Sequence, residues 1–275
     1  MPPSLRITAL NVYPVKSCAG TSLTVADIGP RGINHDREYM VVDDEGEFFT
    51  QRELPRLALI RPTVGNGYLT LAGPGADPLD VPVVDGPRSR VRIWRDHVQA
   101  AVQGAEVADW LSAFLGRVCR LVRLPEESVR PVDPQYGQPG DQVSLADGYP
   151  VLIISEESLA DLNSRLAEPL PMNRFRPNIV VRGLGTPYGE DHWRTVCIGE
   201  VRLEGVKQCA RCAITTTDQV TTKRGVEPLK TLATYRQVPR GVLFGQNAIP
   251  RSVGRIEVGN EVVIDDGAQH AVSPV

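Results

Sequence analysis

Short apolar runs separated by proline- and glycine-containing turns recur along this chain, and they constrain its fold more than any other feature. The 275 residues include 23 prolines and 25 glycines. Proline lacks the backbone N–H that a helix interior or a central strand must donate, so frequent proline favours turns and the edges of sheets. We therefore expect a mostly β protein with a few helices, of the α+β class.

The apolar runs also predict individual strands, because alternating or continuous apolar stretches bounded by turn residues are typical of sheets. A hairpin is predicted around Asp44-Glu45-Gly46, between the second and third of these strands. The predicted strands cover residues 7–13, 38–43, 47–51, 57–64, 68–71, 91–94, 98–102, 151–154, 178–181, 196–203, 213–217, 255–258 and 261–264.

Three segments show helical signals instead. Within 105–115 the apolar residues recur at helical spacing, and Gly116 follows as a C-terminal stop. Ser155 is a predicted N-cap, because Glu156 and Glu157 come directly after it and favour the positive end of a helix dipole. A third, short helix is predicted to begin near Pro228, since proline suits a first helical turn.

A stretch rich in Pro, Gly, Asp and Gln follows residue 124 and has little periodicity. Such composition is typical of a domain boundary or of a loop over a functional site. We therefore predict a domain division near residue 125, with one mostly β domain over residues 1–125 and a second over 126–267. Residues 268–275 are predicted to form a flexible tail.

Charge and hydropathy exclude several functional classes. The formal net charge of −3 leaves no cationic excess of the kind that a nucleic-acid face needs. No apolar run approaches the ~18–20 residues that span a bilayer, and MPPSLRITAL lacks the features of a signal peptide. An odd number of cysteines, five, argues against a secreted disulfide framework. We expect a cytoplasmic protein with neither nucleic-acid nor membrane partners.

The motif Cys209-Ala-Arg-Cys212 is a cluster of soft ligands, and three interpretations compete for it. A structural zinc site needs four ligands, whereas the four histidines of the chain are widely spaced. A thioredoxin-like dithiol precedes a helix, but the β-branched run that follows this motif favours a strand. The third interpretation is a pair of inert, buried thiols.

Two other segments carry groups suited to anions. Lys16 and Ser17 follow a predicted strand and open a glycine-containing loop, which offers an ammonium, a hydroxyl and backbone donors to a phosphate. Arg174, Arg176 and Asn178 stand just before another predicted strand, and guanidinium groups bind planar anions through two hydrogen bonds. Each segment alone is equally typical of a solvated surface.

Taken together and in order, eight segments resemble the MOSC family, which is named for the C-terminal domain of molybdenum cofactor sulfurase. YPVKSCAG, DREYMVVD and QRELPRLALI resemble the N-terminal β-barrel domain of its longer members. RFRPNIVV, GEDHW, CARCAITTTD, EPLKTLATYR and FGQN resemble the MOSC domain itself. The resemblance extends over nearly the whole chain and includes the mitochondrial amidoxime-reducing component and bacterial proteins that detoxify N-hydroxylated bases. It implies a barrel-like N-terminal domain and a C-terminal MOSC β-barrel domain.

The resemblance implies a site for the molybdenum cofactor, in which a pterin (molybdopterin) carries the metal. It implies that Cys212 is the thiolate ligand of molybdenum, while Cys209 is a neighbour that does not bind the metal. Thiolate is the soft donor that such a site prefers. Asp218 is a candidate proton donor. The implied contacts to the pterin and its phosphate are Lys16, Ser17, Arg37, Arg176, Asn178, Ala210, Arg211, Gln246 and Asn247.

The resemblance further implies a two-electron reductase of N-hydroxylated compounds: hydroxylamines, amidoximes and N-hydroxy bases. The sequence shows no iron–sulfur motif of the type C-x₄-C-x₂-C. Electrons are therefore expected from a separate ferredoxin, flavoprotein reductase or similar partner. The alternative is a cofactor-binding or sulfur-carrier protein that uses Cys212 without turnover.

Overall fold

The structure, a computed structural model, describes residues 4–265 and is mostly β with three α-helices in that range. The predicted tail at 268–275 lies outside the described residues. No helix in the described part of the chain combines the length and apolar character needed to cross a membrane.

The strands and helices follow one another in a mostly β order. The strands are β1 (Arg6–Val12), β2 (Thr21–Leu23), β3 (Val25–Gly29), β4 (Gly32–Ile33), β5 (Tyr39–Val42), β6 (Arg61–Val64), β7 (Tyr68–Gly73), β8 (Ala76–Pro82), β9 (Arg88–Ile93), β10 (Asp96–Val102), β11 (Arg120–Arg123), β12 (Val151–Ser155), β13 (Ile179–Arg182), β14 (Thr195–Ile198), β15 (Val201–Arg211), β16 (Gln237–Val238), β17 (Gly241–Pro250), β18 (Gly254–Glu257) and β19 (Val263–Ile264). The helices are α1 (Ala105–Leu115), α2 (Glu156–Ser164) and α3 (Leu229–Arg236).

The main sheet brings the two ends of the chain together. Its order is β19-β14-β15-β17-β12-β13-β1-β2, and β16 pairs with β17. β1 lies antiparallel to β13, with Leu10 opposite Ile179, and β12 lies parallel to β13. Apolar side chains from these strands pack with Trp193 and Leu203 into one buried cluster. The sheet therefore holds the loop after β1 beside the loop before β13.

Three smaller sheets complete the described fold. One contains β5, β11, β10 and β9, another β6, β7 and β8, and the third β18, β3 and β4. Helix α1 packs Leu111 and Phe114 into a core that it shares with β7 and β11. Because β1 pairs with β13 and β3 pairs with β18, strand pairing crosses the boundary expected near residue 125. The boundary itself stays a prediction.

All three predicted helices are confirmed. Helix α1 ends at Gly116, whose φ of 68° is the left-handed conformation that glycine adopts readily. The Ser155 side chain accepts a hydrogen bond from the Ser158 N–H and caps α2, as its position before two glutamates predicts. Helix α3 begins directly after Pro228.

Four predicted strands differ from the structure. Residues 57–64 contain the end of a 3₁₀ turn, Pro55–Leu59, before β6 begins, since proline favours the first position of a helical turn. Residues 196–203 form two strands rather than one, because Gly199, with φ of 57°, turns the chain. Residues 47–51 contribute only two isolated bridges, from Phe48 to Val42 and from Glu47 to Arg92, so the predicted hairpin is not a regular one.

The fourth difference concerns the segment after Cys212. Residues 213–217 were expected to be a strand, but Ala213–Thr216 is a 3₁₀ turn. The Thr215 hydroxyl donates to the Cys212 carbonyl and the Thr216 hydroxyl donates to the Ala213 carbonyl. Such local bonds between threonine side chains and the backbone compete with strand pairing. The turn ends β15 and orients the Cys212 side chain.

Candidate functional site

A cavity of about 340 Å³ lies where the C-terminal half of β15 meets the loops after β1 and before β13. All of the predicted site residues except Asp218 and Gln246 line it. The lining residues are Lys16, Ser17, Arg37, Thr50, Ala146, Asp147, Gly148, Tyr149, Leu152, Phe175, Arg176, Asn178, Lys207, Gln208, Cys209, Ala210, Arg211, Cys212, Ile214, Thr215 and Asn247.

Three lining residues have strained backbone conformations. Ser17, Arg37 and Arg176 have φ values of 67°, 48° and 56°, in the left-handed region that non-glycine residues seldom adopt. Each such residue costs of the order of 1–3 kcal/mol and persists only where the surrounding structure holds it in place. The left-handed backbone at these three positions orients their polar side chains at the cavity wall.

Two guanidinium groups share the ring of one buried tyrosine. The guanidinium carbons of Arg37 and Arg176 each lie 4.2 Å from the centroid of the Tyr13 ring. Arg37 also donates to the Asp36 carboxylate at 2.5 Å and to the Asn178 side-chain oxygen at 3.2 Å. Burial raises the pKa of Tyr13 to about 12, so its phenol stays protonated.

Arg176 differs from Arg37 because it has no carboxylate within ion-pair distance among the described residues. Its guanidinium donates to the Cys18 carbonyl at 2.5 Å, and the residue is 9% exposed. Burial, followed by the positive charge of Arg37, lowers the pKa of Arg176 to about 10. A buried cation without a counter-charge is unfavourable unless an anion completes the site. Arg176 is therefore the strongest structural indication of an anionic ligand.

Lys16 lies on another part of the wall and is held by two acceptors. Its ammonium donates to the Leu145 carbonyl at 3.0 Å and to the Asp147 carboxylate at 2.5 Å. Burial lowers the pKa of Lys16, while the ion pair with Asp147 opposes that shift. Although desolvation acts to raise it, the pKa of Asp147 is held below its ordinary value by Lys16 and by a hydrogen bond from Trp94.

The two cysteines of the motif have different surroundings. Both thiols are half-buried, free of disulfides and on the cavity wall. The Arg211 guanidinium donates to the Cys209 sulfur at 2.8 Å and to the Phe175 carbonyl at 2.6 Å. Cys212 stands just past the end of β15, and its sulfur makes no hydrogen bond with the described residues. Cys212 is thus the thiol left available for a ligand.

Two predicted site residues lie away from the cavity. Gln246 and Asn247 are neighbours on β17, where successive side chains point to opposite faces, so only Asn247 lines the cavity. Gln246 is buried and donates to the Trp193 carbonyl at 3.3 Å. Asp218 caps a turn through hydrogen bonds from the backbone N–H groups of Val220 and Thr221. The bond from Thr221 lowers the pKa of Asp218, which therefore makes it a poor proton donor.

Lys207 and Tyr149 also line the cavity, although the sequence motifs do not predict them. The Lys207 ammonium lies 4.1 Å from the centroid of the Tyr136 ring and 5.9 Å from that of Tyr149, with no carboxylate in ion-pair range among residues 4–265. Burial, and then the Asp133 carboxylate, raise the pKa of Tyr149 above its ordinary value. The Tyr149 phenol therefore stays protonated beside the cysteine motif, and the Lys207 side chain borders the same cavity.

The geometry argues against all three interpretations that the cysteine motif by itself allows. Within the described residues, no three His, Cys, Asp or Glu side chains lie close enough to hold a metal ion by themselves, so zinc lacks its ligands. The segment after Cys212 is a single 3₁₀ turn rather than the helix of a thioredoxin-like dithiol. Nor are the two thiols sealed in the core, as inert cysteines would be.

The wall does fit an anionic cofactor that brings its own metal ligands. A thiol without a protein partner is a soft donor for such a metal, and Arg176 lacks a counter-charge. The buried Nε of Arg211, beside the motif, also has no hydrogen-bond partner within 4–265. Lys16, Arg37 and Arg176 supply the positive charge that a phosphate needs.

Comparison with known proteins identifies two family domains in this chain. Residues 4–118 match the MOSC N-terminal beta barrel domain, and residues 140–263 match the MOSC domain. The mouse mitochondrial amidoxime-reducing component 1 is 37% identical, over 94% of this chain and 82% of that protein. This chain belongs to the MOSC family. The human mitochondrial amidoxime-reducing component 1 is 36% identical over the same shares of both chains.

Another MOSC relative is a much longer protein. The molybdenum cofactor sulfurase of Arabidopsis thaliana is 34% identical over 88% of this chain, but the match covers only 33% of the sulfurase. The predicted family and the mostly β fold class are therefore confirmed.

Proposed function

We propose that this MOSC protein binds the molybdenum cofactor in the cavity and reduces N-hydroxylated compounds. The observation that carries the proposal is the meeting of an available thiol, Cys212, with the uncompensated guanidinium of Arg176 on one cavity wall. The similarity to amidoxime-reducing components supports the same class of reaction. Cys212 would bind the metal, and Lys16, Ser17 and Arg37 would bind the anionic pterin.

The reaction needs two electrons and two protons: R–NH–OH is converted to R–NH₂ and water as the N–O bond breaks. When bound, the molybdenum cofactor supplies the redox chemistry, with electrons from a separate redox protein. Tyr149 and Lys207 border the cavity and are the groups we assign to deliver protons, from the phenol oxygen and from Nζ. The Asp147 carboxylate holds the Lys16 ammonium in place at the cavity wall.

An assay with a chemical electron donor tests this proposal without the protein partner. Protein purified from a host that makes the pterin is expected to contain near-stoichiometric molybdenum and to reduce benzamidoxime to benzamidine. The same chain from a host unable to make the pterin serves as the control and should be inactive. Molybdenum-loaded protein that leaves benzamidoxime and hydroxylaminopurine unchanged would overturn the reductase assignment.

The sulfur-carrier alternative gives a different result in the same preparations. A carrier would accept sulfur at Cys212 in metal-free protein, and the persulfide would appear as a mass increase that a thiol reductant removes. The similarity to molybdenum cofactor sulfurase supports this alternative. A stable persulfide together with no turnover would favour the carrier.

Replacing Tyr149 with phenylalanine is expected to lower kcat for benzamidoxime by about 10²-fold, since general-acid groups contribute about 10²–10⁴-fold. The substitution removes only the phenol oxygen, so molybdenum content should not change. Tyr136→Phe is the matched control, because Tyr136 packs edge-on against Tyr149 at 6.2 Å but does not line the cavity. Equal kcat values for the two variants would exclude Tyr149 as a proton donor.

A further inference from the structure

Trp94 occupies an unusual position at the tip of the β9–β10 hairpin. The connection has two residues, Trp94 and Arg95, because Ile93 pairs with Asp96. Trp94 has a φ of 55°, a conformation for which such turns use glycine or asparagine. Its side chain is nevertheless 38% exposed. Strained backbone beneath an exposed aromatic ring is typical of ligand-binding positions.

Three neighbours hold the Trp94 indole in one orientation. Its Nε1 donates to the Asp147 carboxylate at 3.1 Å, and the Phe48 ring meets it edge-on with the centroids 5.0 Å apart. The Arg52 guanidinium lies over the indole at 4.7 Å from its centroid. No carboxylate of the described chain pairs with Arg52. The indole and guanidinium form a preorganised, positively charged planar surface, here named the Trp94–Arg52 stack.

The Trp94–Arg52 stack adjoins the cofactor cavity. It lines an open groove of about 830 Å³, and Thr50 lies on the wall of both the groove and the cavity. The Asp147 carboxylate joins the two sites as well, because it accepts hydrogen bonds from both Trp94 and the cavity residue Lys16. The groove and the cavity are therefore neighbouring sites that meet at Thr50.

We propose that the groove is a substrate subsite that binds the planar aromatic part of an N-hydroxylated substrate while its N–OH group reaches into the cavity. This inference rests on the proposed function. Aromatic rings stack favourably on indole and on guanidinium groups. Because Arg52 lies on the ring and forms no ion pair within the described residues, neutral or anionic rings are preferred over cationic ones. The substrate class is thus narrowed to aryl amidoximes and N-hydroxylated heterocycles.

Two substrates with the same reacting group test the subsite. Benzamidoxime carries a phenyl ring, whereas acetamidoxime carries a methyl group in its place. Trp94→Gly removes the ring and suits the positive φ, so the hairpin is expected to fold. We expect it to lower kcat/KM for benzamidoxime about tenfold more than for acetamidoxime, because only benzamidoxime loses a stacking partner.

Two more variants sharpen the test. Arg52→Met should shift the ratio of the two kcat/KM values in the same direction as Trp94→Gly. Tyr68→Ala is the matched control, because Tyr68 is an exposed aromatic residue, 42% exposed, that lies outside the groove. An unchanged ratio in Trp94→Gly overturns the subsite. So does a defect confined to reduction by a protein electron donor, which would assign the groove to partner docking.

A binding measurement separates failure of the subsite from failure of the proposed function. Benzamidoxime is expected to quench the tryptophan fluorescence of the wild-type chain but not that of Trp94→Gly, whereas acetamidoxime should quench neither. Quenching without turnover of either amidoxime would overturn the reductase assignment while leaving the groove as an aromatic-binding site. Absence of quenching together with active turnover would overturn the subsite alone.

Discussion

Replacing Cys212 with serine is expected to remove bound molybdenum and to lower benzamidoxime reduction by more than about 100-fold, because even residues that only orient metal ligands contribute about 10–100-fold. Oxygen is a harder donor than thiolate and suits this class of metal poorly. Cys212 is half-buried and its sulfur has no hydrogen bond to the described residues, so the fold itself should tolerate the change.

Cys209→Ser is the matched control for this prediction. The two cysteines are three residues apart and both line the cavity, but the Cys209 sulfur already accepts a hydrogen bond from Arg211 at 2.8 Å. A serine oxygen can accept the same bond, so metal content should change little. Metal analysis of the purified variants and steady-state kinetics provide the measurements. Retention of molybdenum by Cys212→Ser and its loss by Cys209→Ser would exchange the two assigned roles.

The second prediction distinguishes the effect on cofactor binding from the effect on folding stability when Arg37 or Arg176, the two arginines beside Tyr13, is replaced. Arg37→Met is expected to lower the free energy of unfolding by about 3–5 kcal/mol, because it leaves a buried carboxylate without its partner. That carboxylate belongs to Asp36, whose side chain is fully buried and lies 2.5 Å from the Arg37 guanidinium. The change should also weaken cofactor binding.

Arg176→Met is expected to weaken cofactor binding with a much smaller change in stability, within about 1 kcal/mol. Arg176 has no carboxylate partner among the described residues, and burial lowers its pKa to about 10. The folded state therefore disfavours its charge, and removal of that charge offsets the lost hydrogen bond to the Cys18 carbonyl.

Urea unfolding of the metal-free variants and molybdenum content after expression with the pterin measure the two effects separately. Both variants should lose cofactor, but only Arg37→Met should unfold at clearly lower urea. If Arg176→Met were as unstable as Arg37→Met, the Arg176 guanidinium would be a structural cation rather than part of an anion site. Full molybdenum content in Arg176→Met would contradict its assigned role in binding.

Helices and many strands could be predicted because their signals are local. The N-cap at Ser155, the glycine stop at Gly116 and the proline at the start of α3 each act within one turn of backbone. The segment after Cys212 could not be predicted in this way. Its β-branched residues favour a strand by propensity, but the Thr215 and Thr216 hydroxyls bond to nearby carbonyls and form a 3₁₀ turn.

The candidate site, like the fold, could be predicted only where the signal is local. The motif Cys209-Ala-Arg-Cys212 and the paired Gln246-Asn247 are visible as residue types, but strand register decides which side chains face the cavity. The register turns the Gln246 side chain away from the cavity and places Asn247 on the cavity wall. No sequence signal marks Tyr149, because it stands in no motif and reaches the cavity only through contacts between distant segments. Lys207 lies two residues before Cys209 on β15, beyond residue 203, where the predicted strand ends.

By itself, the sequence determined the family, the mostly β class and the chemical character of the wall, since these depend on residue types and on short-range spacing. Only the tertiary structure decided that Cys212, Arg176 and Lys16 share one cavity, that Asp218 lies away from it and that Trp94 adjoins it. The reason is physical: β1 pairs with β13 across more than half of the chain, and no local preference encodes which distant strands meet.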